Sequence, residues 1–365
     1  MFMVSNDYSV STSHSSNLTP ARRRRLLPKL LFSGVVAVFG VGFCELALRL
    51  LAPQPPSWLD VYRRHPALAL YTLQPNVERL VDTGESRWTV RTDADGFRAS
   101  KQLYSRGPIV LCLGDSFMFG HGVEHDQSVV GLLQSSAETT TRYINASVPG
   151  YGPIQYKQVL EYLIGTGIRP RRLLIGTYVG NDFHDCAWQK DAQVKNGVLG
   201  NRGDLRSAIK MNSHLYRLLS KGYHHFVRGQ DEAFQFQDAM EIAKNWEDGL
   251  LKKATSAYRE NFQQIATICR DHSIELVVLG IPHRKAVETR NAMKTPDRDP
   301  DLPMHHAEKI FADLSISFVD LTGALAQHEA ADVYLRHDGH LTPLGHRVIA
   351  EFLVERFPHP SAQIP

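Results

Sequence analysis

Five residues of this chain have the types and the order that acyl transfer through a serine nucleophile requires. They are Ser116, Gly150, Asn181, Asp338 and His340. A serine hydroxyl becomes a strong nucleophile when a neighbouring histidine takes its proton and a carboxylate fixes the tautomer of that histidine. The oxyanion that develops in the reaction needs fixed N–H donors, which backbone amides and a side-chain amide can supply.

The first three of these residues each follow an apolar, strand-like run. The runs are 109–113, 143–148 and 173–179. The carboxyl ends of parallel strands meet at one edge of a sheet, where open α/β sheets place their active sites. In the last segment, Gly339 gives the backbone the freedom that lets Asp338 and His340 converge. No Gly-x-Ser-x-Gly sequence surrounds Ser116, which argues against the α/β-hydrolase elbow.

On these blocks the chain resembles the SGNH (GDSL-type) hydrolase family. The resemblance implies that Ser116 is the nucleophile, His340 the base and Asp338 the acid that orients it. It also implies an oxyanion hole formed by Ser116, Gly150 and Asn181. The spacing Asp-Gly-His is shorter than the commonest Asp-x-x-His of the family. It is similar to the spacing in a membrane-anchored branch related to polysaccharide O-acetylation proteins.

Each site residue also has a purely structural interpretation. Ser116 could cap a helix, Gly150 could be a plain turn glycine, and Asn181 could form an Asx turn. The alternative for the C-terminal histidines is a metal site built from His337, His340 and His346. No second Cys/His set and no His-Glu-x-x-His sequence accompanies them. The sequence therefore predicts neither a metal nor a cofactor.

Helical and strand-like patterns alternate over the C-terminal part of the chain. The helical patterns cover 128–137, 154–163, 251–272, 304–314 and 348–357, and further strands are expected at 274–281 and 316–321. Such alternation predicts an α/β fold with a parallel sheet covered by helices on both faces. The resemblance, which extends from about 108 to 357, implies the flavodoxin-like three-layer sandwich of SGNH hydrolases.

A membrane signal lies near the N-terminus. Arg22–Arg25 precede a long apolar stretch, so we expect one transmembrane anchor at 26–52 after a disordered cytoplasmic tail at 1–25. Glu45 and Arg49 are spaced to pair at the interfacial end. A cleaved signal peptide is the alternative, but no small-x-small site follows the apolar stretch. The positive-inside rule then predicts a single-pass protein with its catalytic domain in the periplasm or outside the cell.

The remainder of the chain divides into a stem at 53–107 and an SGNH-like domain at 108–360. The stem contains a strand-like pattern at 87–92 and Gly96-Phe97-Arg98, an element that is similar to one in many membrane-anchored family members; the sequence assigns it no role. The domain carries an insertion at 183–249, which is expected to overhang the active site. The insertion is either a cap that selects an acidic or carbohydrate substrate or a helical segment that buries its own leucines.

Composition does not specify the substrate. The net charge of +3 with 22% charged residues gives no pull toward nucleic acid. Cys186 and Cys269 could pair in an oxidising compartment or remain buried thiols. The expected function is a serine esterase that removes acyl groups, such as acetyl, from an envelope or extracellular polysaccharide. Alternatives are a polysaccharide O-acyltransferase, a lipid or thioester hydrolase, and a non-catalytic protein that binds glycan or supports its assembly; the oligomeric state stays open.

Overall fold

The computed structural model describes residues 20–55, 58–99, 107–136, 141–187, 193–195, 197–200, 209, 212–227, 240–247, 249–288 and 297–360. By their contacts these residues form two units, one that ends at Gln54 and one that begins at Pro55. Residues 1–19 of the predicted tail lie outside the described residues.

The first unit is a single helix, α1 (Pro20–Leu51), which begins six residues before the predicted anchor. Among the described residues, Leu31–Leu51 is the one helical stretch that is long and apolar enough to cross a membrane. Its 21 residues rise about 30 Å, the thickness of the hydrocarbon core. Glu45 and Arg49 pair at 2.8 Å, as their spacing predicts. The expected N-terminal apolar helix is therefore confirmed.

The second unit alternates strands and helices. Its strands are β1 (Tyr62–Arg64), β2 (Tyr71–Leu73), β3 (Glu78–Asp82), β4 (Arg87–Arg91), β5 (Ile109–Gly114), β6 (Arg142–Asn145), β7 (Pro170–Tyr178), β8 (Gln193–Lys195), β9 (Val198–Gly200), β10 (Glu275–Ile281) and β11 (Ser317–Asp320). Its helices are α2 (Ser116–Phe119), α3 (Val129–Ser136), α4 (Pro153–Gly165), α5 (Asp182–Ala187), α6 (His214–Val227), α7 (Gly249–Asp271), α8 (Arg284–Glu288), α9 (Leu302–Asp313), α10 (Thr322–Leu325), α11 (Ala330–Val333) and α12 (Pro343–Arg356). Short 3-10 turns cover His125–Gln127 and Ala243–Asn245.

In the described part of the chain, five parallel strands form the central sheet in the order β6-β5-β7-β10-β11. The order reverses between β5 and β7, because the chain first adds β6 on one side and then the remaining strands on the other. A crevice opens at such a reversal, at the carboxyl ends of the strands. This arrangement confirms the predicted flavodoxin-like sandwich.

Apolar side chains on the two faces of the sheet belong to two separate clusters. Along β5, Leu111 and Leu113 face one cluster, and Val110 and Cys112 face the other, as the two-residue period of a strand requires. Helices α4, α7 and α9 cover the first face, whereas α3 and α12 cover the second. Both faces of the sheet are therefore buried, which explains why its strands are apolar without alternation.

The stem is part of the second unit. Strands β1 and β2 form one antiparallel hairpin and β3 and β4 form another. Leu59, Val61, Leu73, Trp88 and Val90 are buried in the same cluster as α4 and α7. The stem residues thus contribute to the core that supports the sheet.

The described parts of the insertion pack against the stem and the core. Hairpin β8–β9 lies on β1, where the N–H of Tyr62 donates to the carbonyl of Gly197 at 2.8 Å. Phe183 and Trp246 are buried in the core, whereas Leu218 and Leu219 of α6 are exposed. Leu205, Lys210 and Arg228, which also belong to the insertion, lie outside the described residues. Cys112, Cys186 and Cys269 are buried free thiols and Cys44 is an exposed one.

Candidate active site

The Gly-Asp-Ser sequence turns the end of β5 into the start of α2 at the crevice. Gly114 lies so close to the helix that a Cβ there would meet the Cβ of Met118 at 2.6 Å and the carbonyl of Gly176 at 2.9 Å. Asp115 caps the helix, because its carboxylate accepts the N–H of Phe117 at 2.8 Å. Helix capping is therefore a property of Asp115, and the hydroxyl of Ser116 is left for another partner.

That partner is the imidazole of His340. Its Nε2 lies 2.7 Å from the Oγ of Ser116, and its Nδ1 is hydrogen-bonded to Oδ1 of Asp338. The two side chains converge because Gly339 adopts a left-handed φ of +78°, which only glycine adopts without strain. A tight turn closes around it, with the N–H of Leu335 donating to the carbonyl of His340 at 2.7 Å.

The turn is fixed from the stem by Glu85, which lies between β3 and β4. Its carboxylate accepts the backbone N–H of His337 at 3.0 Å and that of Asp338 at 2.9 Å. Two backbone donors to one carboxylate hold the segment that carries the acid and the base. In the sequence, Glu85 is an acidic residue of the stem, and nothing near it indicates this contact.

Ser116, Gly150 and Asn181 follow β5, β6 and β7, which are neighbours in the sheet. Gly150 has a φ of +84°, and a Cβ there would meet the hydroxyl of Tyr71 at 2.7 Å. Within the described residues, the backbone N–H groups of Ser116 and Gly150 donate to no other group. These amides and the partly exposed Asn181 have the chemistry of an oxyanion hole.

Two buried carboxyl groups lie behind this edge of the sheet. Asp115 is fully buried, and burial raises its pKa to about 7, although the neighbouring Asn181 amide and His340 act in the opposite direction. Asp182 accepts hydrogen bonds from the hydroxyls of Thr177 at 2.7 Å and Tyr156 at 3.1 Å. Burial also raises the pKa of Asp182, and the nearby Asp115 adds to this effect.

The raised pKa of Asp115 makes stability depend on pH. Unfolded Asp115 titrates near 3.8 and the folded group near 7, so between these values the folded state binds more protons. The free energy of unfolding should therefore fall as the pH rises from about 4 to about 7. Asp115→Asn keeps an oxygen for the helix cap. The free energy of unfolding of this variant, measured relative to that of wild type, should be greater at pH 8 than at pH 4 by on the order of 2–4 kcal/mol. Urea unfolding at both pH values checks this, and parallel pH profiles would contradict it.

A second histidine, His121, lies beside the triad. Its ring centroid is 4.5 Å from that of His340, its Nε2 is 3.9 Å from Oδ2 of Asp338, and its ring packs on Trp88. Among the described residues, His121, Asp338 and His340 are a set whose ligand atoms lie close enough for a metal ion. The bonds that both nitrogens of His340 already make, to Ser116 and to Asp338, suit proton transfer instead.

The metal site considered from the sequence, His337, His340 and His346, shares only His340 with this set. His346 lies inside the core, where its Nδ1 accepts the N–H of Val129 at 3.3 Å. Burial lowers its pKa to about 3, so it is neutral at physiological pH. His346 is thus a structural residue at the start of α12. The histidine that lies beside His340 is His121, which the sequence analysis did not predict as a site residue.

The structure gives the Gly-Phe-Arg element of the stem a role through Arg98, which the sequence alone did not assign. Its side chain is only 2% exposed, and its guanidinium donates to the carbonyls of Phe119, Gly120 and Val123. These carbonyls end α2 and form the turn that carries His121. Burial lowers the pKa of Arg98 to about 9, so the group remains charged at neutral pH. Arg98 therefore holds the carboxyl end of the helix that begins at Ser116.

Replacement of Arg98 tests this positioning. Arg98→Ala leaves three buried carbonyls without their donor, so we expect the free energy of unfolding to fall by about 3 kcal/mol or more. Ester turnover should also fall, and methylguanidinium should restore part of it. Arg98→Lys keeps the charge but not the planar fork, and should be intermediate. The exposed Arg64→Ala serves as the control. Arg98→Ala with wild-type stability and turnover would contradict the assignment.

Comparisons with known proteins agree with this picture at the level of the family. Residues 241–363 match the family model described as "SGNH hydrolase-like domain, acetyltransferase AlgX", a span that includes Asp338 and His340. No curated protein matches the chain in sequence.

Solved structures that resemble the chain include TesA, at 14% identity over 68% of this chain and 98% of that one, with a TM-score of 0.41. Another is the acetylxylan esterase Axe2 from Geobacillus stearothermophilus, at 13% identity over 72% and 100% of the two chains, with a TM-score of 0.41. A third is a G-D-S-L family lipolytic protein from Veillonella parvula, at 12% identity over 70% and 100%, with a TM-score of 0.40. The matched family model, together with the Gly-Asp-Ser and Asp-Gly-His segments on a parallel sheet, supports assignment of the chain to the SGNH hydrolase family.

Proposed function

We propose that this protein is a membrane-anchored serine esterase that removes acyl groups, acetyl among them, from a polysaccharide of the cell envelope or its surroundings. The observation that carries the proposal is the position of the His340 imidazole between the Ser116 hydroxyl and the Asp338 carboxylate. This arrangement has the connectivity of a serine-hydrolase triad.

The reaction proceeds in two halves. Ser116 Oγ attacks the ester carbonyl while its proton passes to Nε2 of His340, and Asp338 stabilises the imidazolium through Nδ1. The tetrahedral oxyanion accepts hydrogen bonds from the Ser116 and Gly150 amides and the Asn181 side chain. Its collapse breaks the bond to the sugar oxygen, which takes the proton from His340. Water then attacks the acyl-Ser116 intermediate by the same route and releases the carboxylic acid.

The location of the site supports a polysaccharide substrate. The apolar stretch Leu31–Leu51 follows Arg22–Arg25 and Lys29 in the sequence, and this charge asymmetry favours a cytoplasmic N-terminus. The catalytic unit then lies on the opposite side of the membrane, where acylated glycans occur. A reporter fused after Gln54 should report that compartment, and a cytoplasmic signal would remove this argument.

An O-acyltransferase is the second candidate. The same acyl-Ser116 intermediate can be resolved by a sugar hydroxyl instead of water, without any change in the triad. Two observations favour it, namely the matched family model, whose description names an acetyltransferase, and the Asp-Gly-His spacing. A lipid or thioester substrate, or glycan binding without catalysis, draws support from neither.

The proposal is tested with the full chain in detergent. A fluorophosphonate probe should form one adduct with the protein, at Ser116, as measured by intact mass and peptide mapping. An O-acetylated polysaccharide should then release acetate, and added oligosaccharide acceptors should not become acetylated. Transfer to the acceptor in place of acetate release would favour the acyltransferase. A well-folded protein without any adduct would contradict both enzymes.

A further inference from the structure

A cleft of about 360 Å³ separates the stem from helix α4. None of the triad residues lines it. Its polar lining residues are Arg63, His65, Thr72, Asp95, Ser147 and Thr166. It is also lined by 146–148, the buried segment that leads from β6 to Gly150. The cleft therefore begins beside the loop that carries the oxyanion glycine, and its volume lies in the range of small-molecule sites.

The two charged side chains that line the cleft, those of Arg63 and Asp95, make no ion pair and no hydrogen bond among the described residues. Arg63 has a buried Nε without a hydrogen-bond partner, and within the described residues its guanidinium makes no ion pair. The Asp95 side chain, which also lines the cleft, is exposed and accepts no hydrogen bond among these residues. One cation and one anion leave the cleft without net charge. They offer donors and an acceptor, which suits hydroxyl groups because these both donate and accept.

His65 adds a neutral donor. Its Nδ1 accepts the backbone N–H groups of Ala67 at 3.1 Å and Leu68 at 3.0 Å, which places the proton on Nε2. Partial burial and the nearby Arg63 lower its pKa, so the ring is neutral at physiological pH. The backbone thus fixes this tautomer before any ligand arrives.

Aromatic surface completes the cleft. Tyr162 of α4 meets the ring of His65 edge to face, with centroids 4.6 Å apart, and Phe97 lies in the same lining. Tyr162 is partly exposed and therefore presents an apolar ring with a polar edge. A ligand with apolar C–H faces and a rim of hydroxyls matches such a surface.

We propose that this cleft is a subsite for a neutral sugar unit of the polysaccharide, outside the catalytic centre. The inference deepens the proposed function and rests on it for the identity of the polymer. Arg63, His65 and Asp95 bind sugar hydroxyls, and Tyr162 packs against a ring face. The buried segment 146–148 connects the lining of the cleft to Gly150, so a polymer retained here stays near the loop that carries this glycine.

The test measures binding of unacetylated cellohexaose, a neutral probe, to the full chain in detergent by calorimetry. Arg63→Gln and Tyr162→Ala should each weaken binding at least about tenfold, the effect of losing one charged hydrogen bond or one ring contact. Arg64→Gln is the matched control, since Arg64 is the next residue of β1 and is exposed. Tyr162→Phe keeps the ring and should bind like wild type. If Tyr162→Ala unfolds, Arg63→Gln alone decides.

Three results would overturn the subsite. They are no binding by wild type, equal binding by wild type and Arg63→Gln, and preference for an oligogalacturonate of equal length, which would indicate an anion site. The fluorophosphonate adduct at Ser116 is measured on the same samples. A normal adduct without sugar binding rejects the subsite alone, whereas sugar binding without an adduct rejects the esterase and leaves the cleft intact.

Discussion

Ser116→Ala is expected to lower ester turnover by at least about 10⁴-fold. The hydroxyl of Ser116 bonds only to His340 among the described residues, so its removal takes away the nucleophile and leaves the helix cap at Asp115 in place. The melting temperature should therefore stay close to that of wild type. Initial rates on a chromogenic acetyl ester, measured with active-site titration, give the size of the loss.

The control for this variant is Ser135→Ala. Ser135 is an exposed residue of α3 and is not one of the candidate site residues. It should hydrolyse the ester at the wild-type rate. Equal rates for Ser116→Ala and wild type would mean that the hydrolysis comes from another group or a contaminant. The assignment of the triad would then fail, however well the geometry fits.

Asp338→Asn is the second large effect, a loss of about 10⁴-fold in turnover. The carboxylate accepts the Nδ1–H of His340 and so leaves Nε2 free to take the serine proton. An amide at this position donates as readily as it accepts, which favours the wrong tautomer. The low-field proton resonance of the His340 Nδ1–H should disappear in the variant, a signature that a purely structural role would not change.

The exposed Asp332→Asn provides the matched control and should retain both the rate and the resonance. His121 lies 3.9 Å from the other oxygen of Asp338, so it is the residue to examine if the loss is small. Near-wild-type turnover in Asp338→Asn would show that another acceptor orients His340.

The sequence predicted the sheet and the residues at its edge because both depend on local patterns. The apolar runs that became β5 and β7 end at Gly114 and Tyr178, a few residues before Ser116 and Asn181. Gly339 lies between the acid and the base, so their convergence needs only one turn. Information of this kind is contained in a few consecutive residues. The bounds of most predicted helices agree within two residues for the same reason, whereas the last helix begins at Pro343 instead of 348.

The supports of the site could not be predicted, because their partners are distant in sequence. A buried arginine such as Arg98 has the same letter as a surface arginine, and only the fold shows the three carbonyls that it binds. His121 lies in the turn after α2, and no local sequence pattern distinguishes this turn from an ordinary loop. Helix α1 begins at Pro20, earlier than predicted, because the arginines that were assigned to the tail are good helix formers.

The contact between Glu85 and the turn before His340 joins residues that are 252 positions apart. Ribosomes add about 5–20 residues per second, so roughly 10–50 s pass between synthesis of one partner and of the other. Contacts at this separation form late in folding. The anchor and the stem are therefore made well before the base exists, and a nascent or truncated chain has no competent nucleophile. On the proposed function, ester cleavage therefore begins only after the last helix has folded.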